Sequence, residues 1–303
     1  MVCAACTQRD SEWMGEGDWE LPQEAFEPAD ALELDLELIG ADTRVRVTDT
    51  TAAPFRYICN FEYEIAGGRR LPCCTGTLIG PRTVLTAGHC IDGVTPARLR
   101  IVPGRNRASE PLGATRAASF ILAPGFAATT ATDFGIVRLA DPIGNRAGWW
   151  SANYRRTAVD PTGTSILASG RLPLPAGRIK VNLSGYPVDK PVDRTLDCRP
   201  PQAMRQRCNS MCTGDPGRNP LCGTEQWRAY DVTVAVRGGI LEYKNDDCQG
   251  HSGSPLWVRR HPSMGGRVLV GIQITGDDGT GLVANRAVFI TPGVRAWIVA
   301  NTV

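Results

Sequence analysis

The chain has 303 residues, 42% of them apolar and 21% charged, the balance of a globular protein with room for one large domain or two smaller ones. That composition excludes a largely disordered chain, 33 Gly without a triplet repeat exclude collagen, and no run reaches the roughly 18 to 20 apolar residues of a membrane helix. The formal net charge of +2 conceals a division, because residues 1–40 hold 11 acidic side chains and one basic one (net −10) while the remainder holds 32 basic and 20 acidic (net +12).

In chain order, residues 1–37 are acidic, polar and aperiodic, and read as a leader that covers or solubilises the basic body until it is removed. The opening MVCAACTQRD has no basic n-region followed by an apolar h-region, so no signal peptide is visible in it. Cys3 and Cys6 form an isolated C-x-x-C, weak evidence for a redox or metal pair. From about residue 38, short β-type runs recur between Gly and Pro turn signals: Thr83–Leu85, Phe134–Leu139, Ile179–Leu183, Val232–Val236, Val268–Ile274 and Ala287–Ile290. Many are rich in Val and Ile and several alternate apolar with polar residues, which is the pattern of an all-β sandwich or barrel. Residues 191–227 look like a Cys-rich insert between two strands. One helix is predicted at the end, where Thr291 suits the N-cap, Pro292 the first turn, and Val294, Trp297 and Ile298 share a face.

Eleven Cys point to an oxidising compartment, and the odd count leaves one thiol over or one bond to another chain or to the leader. Cys198, Cys208, Cys212 and Cys222 lie in a stretch too polar to bury a core, so disulfides are expected to order it. A zinc site is the rival, but no His lies among them and the C-x2-C pair is missing. Secretion or another extracytoplasmic location is therefore favoured by chemistry and not by an address. The basic body does not imply nucleic acid: 30 of the 33 basic residues are Arg, scattered without a Lys/Arg run.

The chain has three His. His261, in Arg-His-Pro-Ser-Met-Gly-Gly, reads as an exposed hairpin tip. His89 ends the apolar run Val-Leu-Thr-Ala-Gly-His-Cys, where the chain turns. Gly250-His251-Ser252-Gly253-Ser254-Pro255 sets a Ser among glycines, which allow backbone N–H groups to approach a reacting carbonyl. Asp133, just before the run Phe134–Leu139, is a carboxylate placed for burial and for orienting a His. The order His, Asp, Ser makes three modest signals a strong one. It also excludes an α/β-hydrolase, whose order is Ser, acid, His, because only His261 follows Ser252.

These residues carry a resemblance. Cys74-Thr-Gly-Thr-Leu-Ile through Thr86-Ala-Gly-His89-Cys90, Asp133-Phe-Gly-Ile-Val, Leu183-Ser-Gly-Tyr-Pro-Val-Asp-Lys190, Gly250-His-Ser252-Gly-Ser-Pro255 and Asn285-Arg-Ala-Val-Phe-Ile290 together resemble the trypsin-like serine proteases, most closely the bacterial glutamyl endopeptidase branch, over residues 38–303. The resemblance implies an all-β chymotrypsin-like fold of two six-stranded antiparallel β-barrels with a C-terminal helix, the first in residues 38–150 and the second in 151–303. It implies a Cys74–Cys90 disulfide and a triad of Ser252 as nucleophile, His89 as general base and acid, and Asp133 orienting the imidazole. The N–H groups of Gly250 and Ser252 would form the oxyanion hole. His251, beside the nucleophile, is expected to point away from it. Peptide-bond hydrolysis through an acyl-enzyme needs no cofactor and no metal, takes protein or peptide substrates, and suits a monomer.

The substrate pocket departs from the resembling branch. Gln273 stands where that branch has a His, and Asp247 where it has a hydroxyl residue, so a substrate Glu would meet a carboxylate. Asp246 lies six residues before Ser252, the offset at which trypsin binds Arg or Lys. Cleavage after Arg or Lys is therefore expected, with cleavage after Glu or Asp as the alternative and a non-catalytic binding module as the rival from another class. His251 occupies the position of the Asp that pairs with trypsin's new N-terminus, so that ion pair is unavailable. Ile39-Gly-Ala-Asp-Thr-Arg44 resembles the mature start of the glutamyl branch, which places removal of the leader near residues 36–40.

Overall fold

Runs of Val, Ile, Leu and Thr separated by Gly and Pro build a nearly all-β molecule in the computed structural model, which describes residues 42–151, 165–167, 180–190, 221–259, 267–275 and 284–303. The strands are β1 (Val45–Arg46), β2 (Ile58–Glu64), β3 (Arg70–Gly80), β4 (Thr83–Thr86), β5 (Leu99–Pro103), β6 (Thr115–Leu122) and β7 (Gly135–Leu139), followed by a single helical turn α1 (Gly144–Ala147). Next come β8 (Ser165–Leu167), β9 (Lys180–Gly185), β10 (Trp227–Arg237), β11 (Ile240–Tyr243), β12 (Pro255–Arg259), β13 (Arg267–Thr275), β14 (Asn285–Phe289) and the C-terminal helix α2 (Pro292–Ala300). All six runs singled out in the sequence coincide with strands, with Phe134 and Ile290 one residue beyond theirs, although position 179 lies outside the described residues. So do the leader with its processing site, His261, and Cys3, Cys6, Cys198, Cys208 and Cys212.

Strands β2-β3-β4-β7-β6-β5 form a closed barrel, joined by antiparallel ladders. The second sheet runs β1-β10-β11-β14-β13-β12-β9, and a further pairing of β9 with β10 brings its ends together around six strands. Closure removes the unpaired edges that an open sheet would offer to other chains. β10 is long enough to take β1 beside Trp227 and Arg228 and β11 beside Thr233 to Arg237. The short β8 adds to β13 in parallel.

Burial explains why alternation is only partial. β3 is buried from Leu71 to Gly80 and β13 from Val268 to Ile274, so both faces of each carry apolar side chains. Phe61, Leu78, Val84, Ile101 and Ile136 fill the first barrel, and Leu183, Leu256, Leu269, Ile272 and Val288 the second. Each such side chain contributes about 1.5–3 kcal/mol by leaving water. Trp150 bridges the two halves: its ring centroid lies 6.4 Å from that of Trp257 and its Nε1–H donates to Thr77 Oγ1 at 2.9 Å.

The C-terminal helix forms as its capping signals require. Thr291 Oγ1 accepts from the Val294 N–H at 3.2 Å, Pro292 occupies the first turn, and Ile298 is buried. Trp297 reaches the first barrel and packs edge-on against Phe134, with centroids 5.1 Å apart. The last residue is tied to that barrel as well, since the Val303 carbonyl accepts from the Arg82 N–H at 3.2 Å and from Thr83 Oγ1–H at 2.8 Å. The end of the chain thus buttresses the segment just after Asp133.

Candidate active site

Two strand ends bring His89 and Asp133 together. β4 and β7 are antiparallel, with Thr86 opposite Gly135, so the residues that follow β4 meet those that precede β7. His89 lies in the 3-10 turn Gly88–Cys90 directly after β4, and Asp133 two residues before β7. His89 Nδ1 is 2.8 Å from Asp133 Oδ2, and the His89 backbone N–H donates to Oδ1 at 2.9 Å. A third donor is the Thr129 N–H, 2.7 Å from Oδ2, which Thr129 aims from a left-handed backbone conformation (φ +63°). Asp133 is fully buried, so these bonds supply the solvation that water cannot. With Nδ1–H turned to the carboxylate, Nε2 of His89 is left as an acceptor.

Ser252 lies on the loop between β11 and β12, partly exposed. Its carbonyl accepts from the Thr75 N–H at 2.9 Å and lies 3.5 Å from the sulfur of Cys90, the residue after His89. Cys74 and Cys90 form a disulfide, so the strand before the loop contact and the His turn are covalently joined. Thr75 is the junction of this region. Its hydroxyl donates to the Gly250 carbonyl at 2.7 Å and accepts from the Tyr186 N–H at 3.0 Å, while its carbonyl accepts from Thr86 Oγ1–H at 2.8 Å. Nothing local in the sequence marks Thr75, because these partners, from Thr86 to Ser252, lie 11 to 177 residues away.

The loop's own hydrogen bonds fix its shape. The N–H groups of His251, Gly253 and Ser254 donate to the carbonyls of Cys248, Gln273 and His251 at 2.9, 2.8 and 2.7 Å. Among the described residues the N–H groups of Gly250 and Ser252 have no acceptor. Gly250 has φ +95° and Gly253 φ +83°. A Cβ at the first would collide with the Tyr186 carbonyl and at the second with the Thr75 carbonyl, so both positions require glycine.

His251 is buried, with Nδ1 accepting from the Cys248 N–H at 3.0 Å. Burial pushes its pKa well below the usual value for a His, and the Arg44 charge adds to that, so it stays neutral. The three pocket candidates divide into two groups. Asp247 and Gln273 are buried together, the Gln273 amide donating to Asp247 and Tyr243 OH donating to the Gln273 side-chain oxygen. Asp246 Oδ2 instead accepts from the N–H and hydroxyl of Thr43, both at 2.6 Å. Cys73 and Cys222 are also disulfide-bonded, and Cys59 is a buried free thiol. Among the described residues no group of three or more His, Cys, Asp or Glu is arranged to hold a metal ion.

The family profile described as Trypsin matches residues 45–298. The chain belongs to the trypsin family. It is 35% identical over 225 residues to a glutamyl endopeptidase of Bacillus licheniformis, covering 73% of this chain and 54% of that protein. It is 33% identical over 139 residues to an extracellular metalloprotease of Bacillus subtilis, covering 44% of each. The chain thus spans about half the length of these curated relatives. A solved structure of Glu endopeptidase in complex with MPD matches the fold at 22% identity with a TM-score of 0.58, covering 87% of this chain and 98% of that one. The trypsin-family fold, with a closed barrel and a second sheet, accounts for the way residues from 75 to 252 meet.

Proposed function

We propose that the chain is a serine endopeptidase in which Ser252 attacks the scissile carbonyl of a peptide substrate. His89 takes the Ser252 proton at Nε2 and returns it to the leaving amine, and Asp133 fixes the tautomer and stabilises the imidazolium. The N–H groups of Gly250 and Ser252 bind the oxyanion, each worth about 3 kcal/mol in the transition state. Water then hydrolyses the acyl-enzyme, with His89 as base a second time. Side chains and backbone carry the whole reaction without a cofactor. The observation that supports this reading most is the Asp133–His89 pair at 2.8 Å beside a Ser252 loop that Thr75 ties to the same barrel.

The first barrel, in residues 38–150, contributes the His and the Asp, and the second, in 151–303, contributes the nucleophile and pocket. The buried carboxylates of Asp246 and Asp247 favour Arg or Lys at P1, since an acidic side chain would meet like charge. The second reading, Glu at P1, is favoured by the relative named for that specificity and by the donors that Thr43 and Gln273 already give these carboxylates. A panel of peptides differing only in P1, assayed with Ser252→Ala alongside, separates the two. Cleavage after Arg or Lys that vanishes in the variant supports the first, cleavage after Glu the second, and activity that survives Ser252→Ala overturns the mechanism.

The enzyme acts outside the cytoplasm as a monomer, a location supported by the Cys74–Cys90 disulfide and by the relative named extracellular. Its acidic leader is removed near residues 36–40, and intact-mass analysis of the active species that still finds residues 1–35 would refute this.

A further inference from the structure

The segment just after the proposed processing site is bound to the nucleophile loop by more than strand pairing. Arg44 is the centre of it. Its side chain is fully buried and its guanidinium grips two carboxylates, donating from Nε and Nη2 to Asp42 at 2.9 and 2.8 Å and from Nη1 and Nη2 to Asp189 at 3.0 and 2.5 Å. Lys190 closes the cluster on Asp42 and stacks over the Trp227 ring, 4.6 Å from its centroid. Two positive and two negative groups thus meet in one cluster, in which Arg44 is buried and Asp42, Asp189 and Lys190 are partly open to solvent. Such sites add little net stability compared with apolar packing, because desolvation consumes most of the attraction. What they do impose is geometry, since a planar fork fixes the direction of both carboxylates.

That geometry bears on Gly250. Asp189 follows Val188, whose N–H donates to the Gln249 carbonyl at 2.7 Å. The Gly250 α-carbon is packed directly on Tyr186 and Val188: a Cβ there would meet Val188 Cγ1 at 2.9 Å and its nitrogen at 3.1 Å. Residues 186–188 are therefore the wall that sets where the Gly250 N–H points, and Arg44 pins the end of that wall. On the other side Thr43 holds Asp246, four residues before Gly250. Val45 and Arg46 then pair with β10, so the strap is anchored behind its own grip.

We propose that Arg44 is a positioning residue for the oxyanion hole, acting through Asp189 and the 186–188 wall to hold the Gly250 N–H in its catalytic direction. The proposal rests on the serine-endopeptidase reading above. A displaced donor weakens the transition state while leaving the bound substrate almost untouched, so its signature is a selective fall in kcat.

The test uses the processed enzyme and its best peptide substrate, with a peptide boronic acid as the tetrahedral probe. Arg44→Gln is expected to lower kcat by roughly 10- to 100-fold, part of what losing one oxyanion donor costs. KM should stay within about threefold, and the boronate Ki should rise in step with the loss of kcat. Arg44→Lys, which can engage one carboxylate but not fork across two, should recover part of the rate. If Arg44→Gln does not fold, Arg44→Gln/Asp189→Asn replaces it, because that pair leaves no lone charge facing the other. A folded double variant with low kcat and weakened boronate binding supports the proposal. Wild-type kcat, a loss confined to KM, or failure of the double variant to fold overturns it, the last by making the cluster a purely structural strap. Ser252→Ala in the same series tests the underlying reading separately, since surviving activity there would defeat the mechanism whatever Arg44 does.

Discussion

The two halves of the candidate site are built by opposite means. His89 and Asp133 sit at the ends of two neighbouring antiparallel strands, three residues past Thr86 and two before Gly135, so the barrel ladder alone delivers them to each other. Ser252 sits on a loop without regular structure, and distant groups hold it: Thr75 from the first barrel and Thr43 from the start of the described chain. A pair set by a ladder tolerates changes around it, whereas a loop set by single hydrogen bonds shifts when one of them is lost.

The largest effect should come from breaking the first half at its carboxylate. Asp133→Asn keeps the volume but offers an amide where His89 Nδ1–H needs an acceptor, which favours the wrong tautomer. A fall in kcat of about 10⁴-fold is expected with the protein still folded. A loss below tenfold in steady-state kinetics would mean that His89 does not depend on Asp133. The Cys74–Cys90 bond tests how much the ladder relies on covalent help. The bond spans 16 residues, and replacing both cysteines with Ala should cost about 3 kcal/mol in denaturant unfolding. The ladder should still present the His89–Asp133 pair, so kcat of the folded fraction should change far less than stability does.

The same contrast governs what can be read from the sequence. Strand runs such as Thr83–Leu85 and Val268–Ile274 are legible because Val, Ile and Leu between turn signals have few other uses. His89, Asp133 and Ser252 are legible because each sits in a short motif. The C-terminal helix is legible because Thr291 and Pro292 mark its start chemically. Thr75, Thr43 and Arg44 carry no such mark. Their partners lie up to 203 residues away, and a Thr or Arg gives no sign of which distant group it will meet. The partition of Asp246 from Asp247 escapes for the same reason: adjacent residues point to opposite neighbours, one towards Thr43 and the other towards Gln273.

Thr75→Val probes the second half. It removes the hydroxyl that serves the Gly250 carbonyl and the Tyr186 N–H, both buried, at a cost of about 1–3 kcal/mol. Since those partners flank the loop proposed to bind the oxyanion, kcat should fall along with stability, and Thr75→Ser should restore both. If Thr75→Val lowers stability alone, the loop is held by its remaining bonds and the two halves of the site differ less than their hydrogen bonds suggest.

The smallest effect is a dependence on pH. His251 is buried and neutral, with Arg44 and Lys190 opposing its protonation and Asp42 favouring it. Below about pH 6.5 the unfolded chain takes up a proton on this His that the folded chain refuses, so the stability present above that pH declines by about 1.4 kcal/mol for each further pH unit. The carboxylates enter later. Asp42 is held low by Arg44 and Lys190 against the opposing effect of its burial, and Glu110 by Arg100, so their contribution is present above about pH 4 and lost only below it. Urea unfolding at pH 7.5, 6.5 and 5.5 isolates the His251 window. His251→Asn, whose side-chain oxygen can still accept the Cys248 N–H, should flatten the profile there without a matching loss at pH 7.5. An unchanged slope in that variant would assign the acid sensitivity to another group and leave the Ser252 loop indifferent to the state of its buried imidazole.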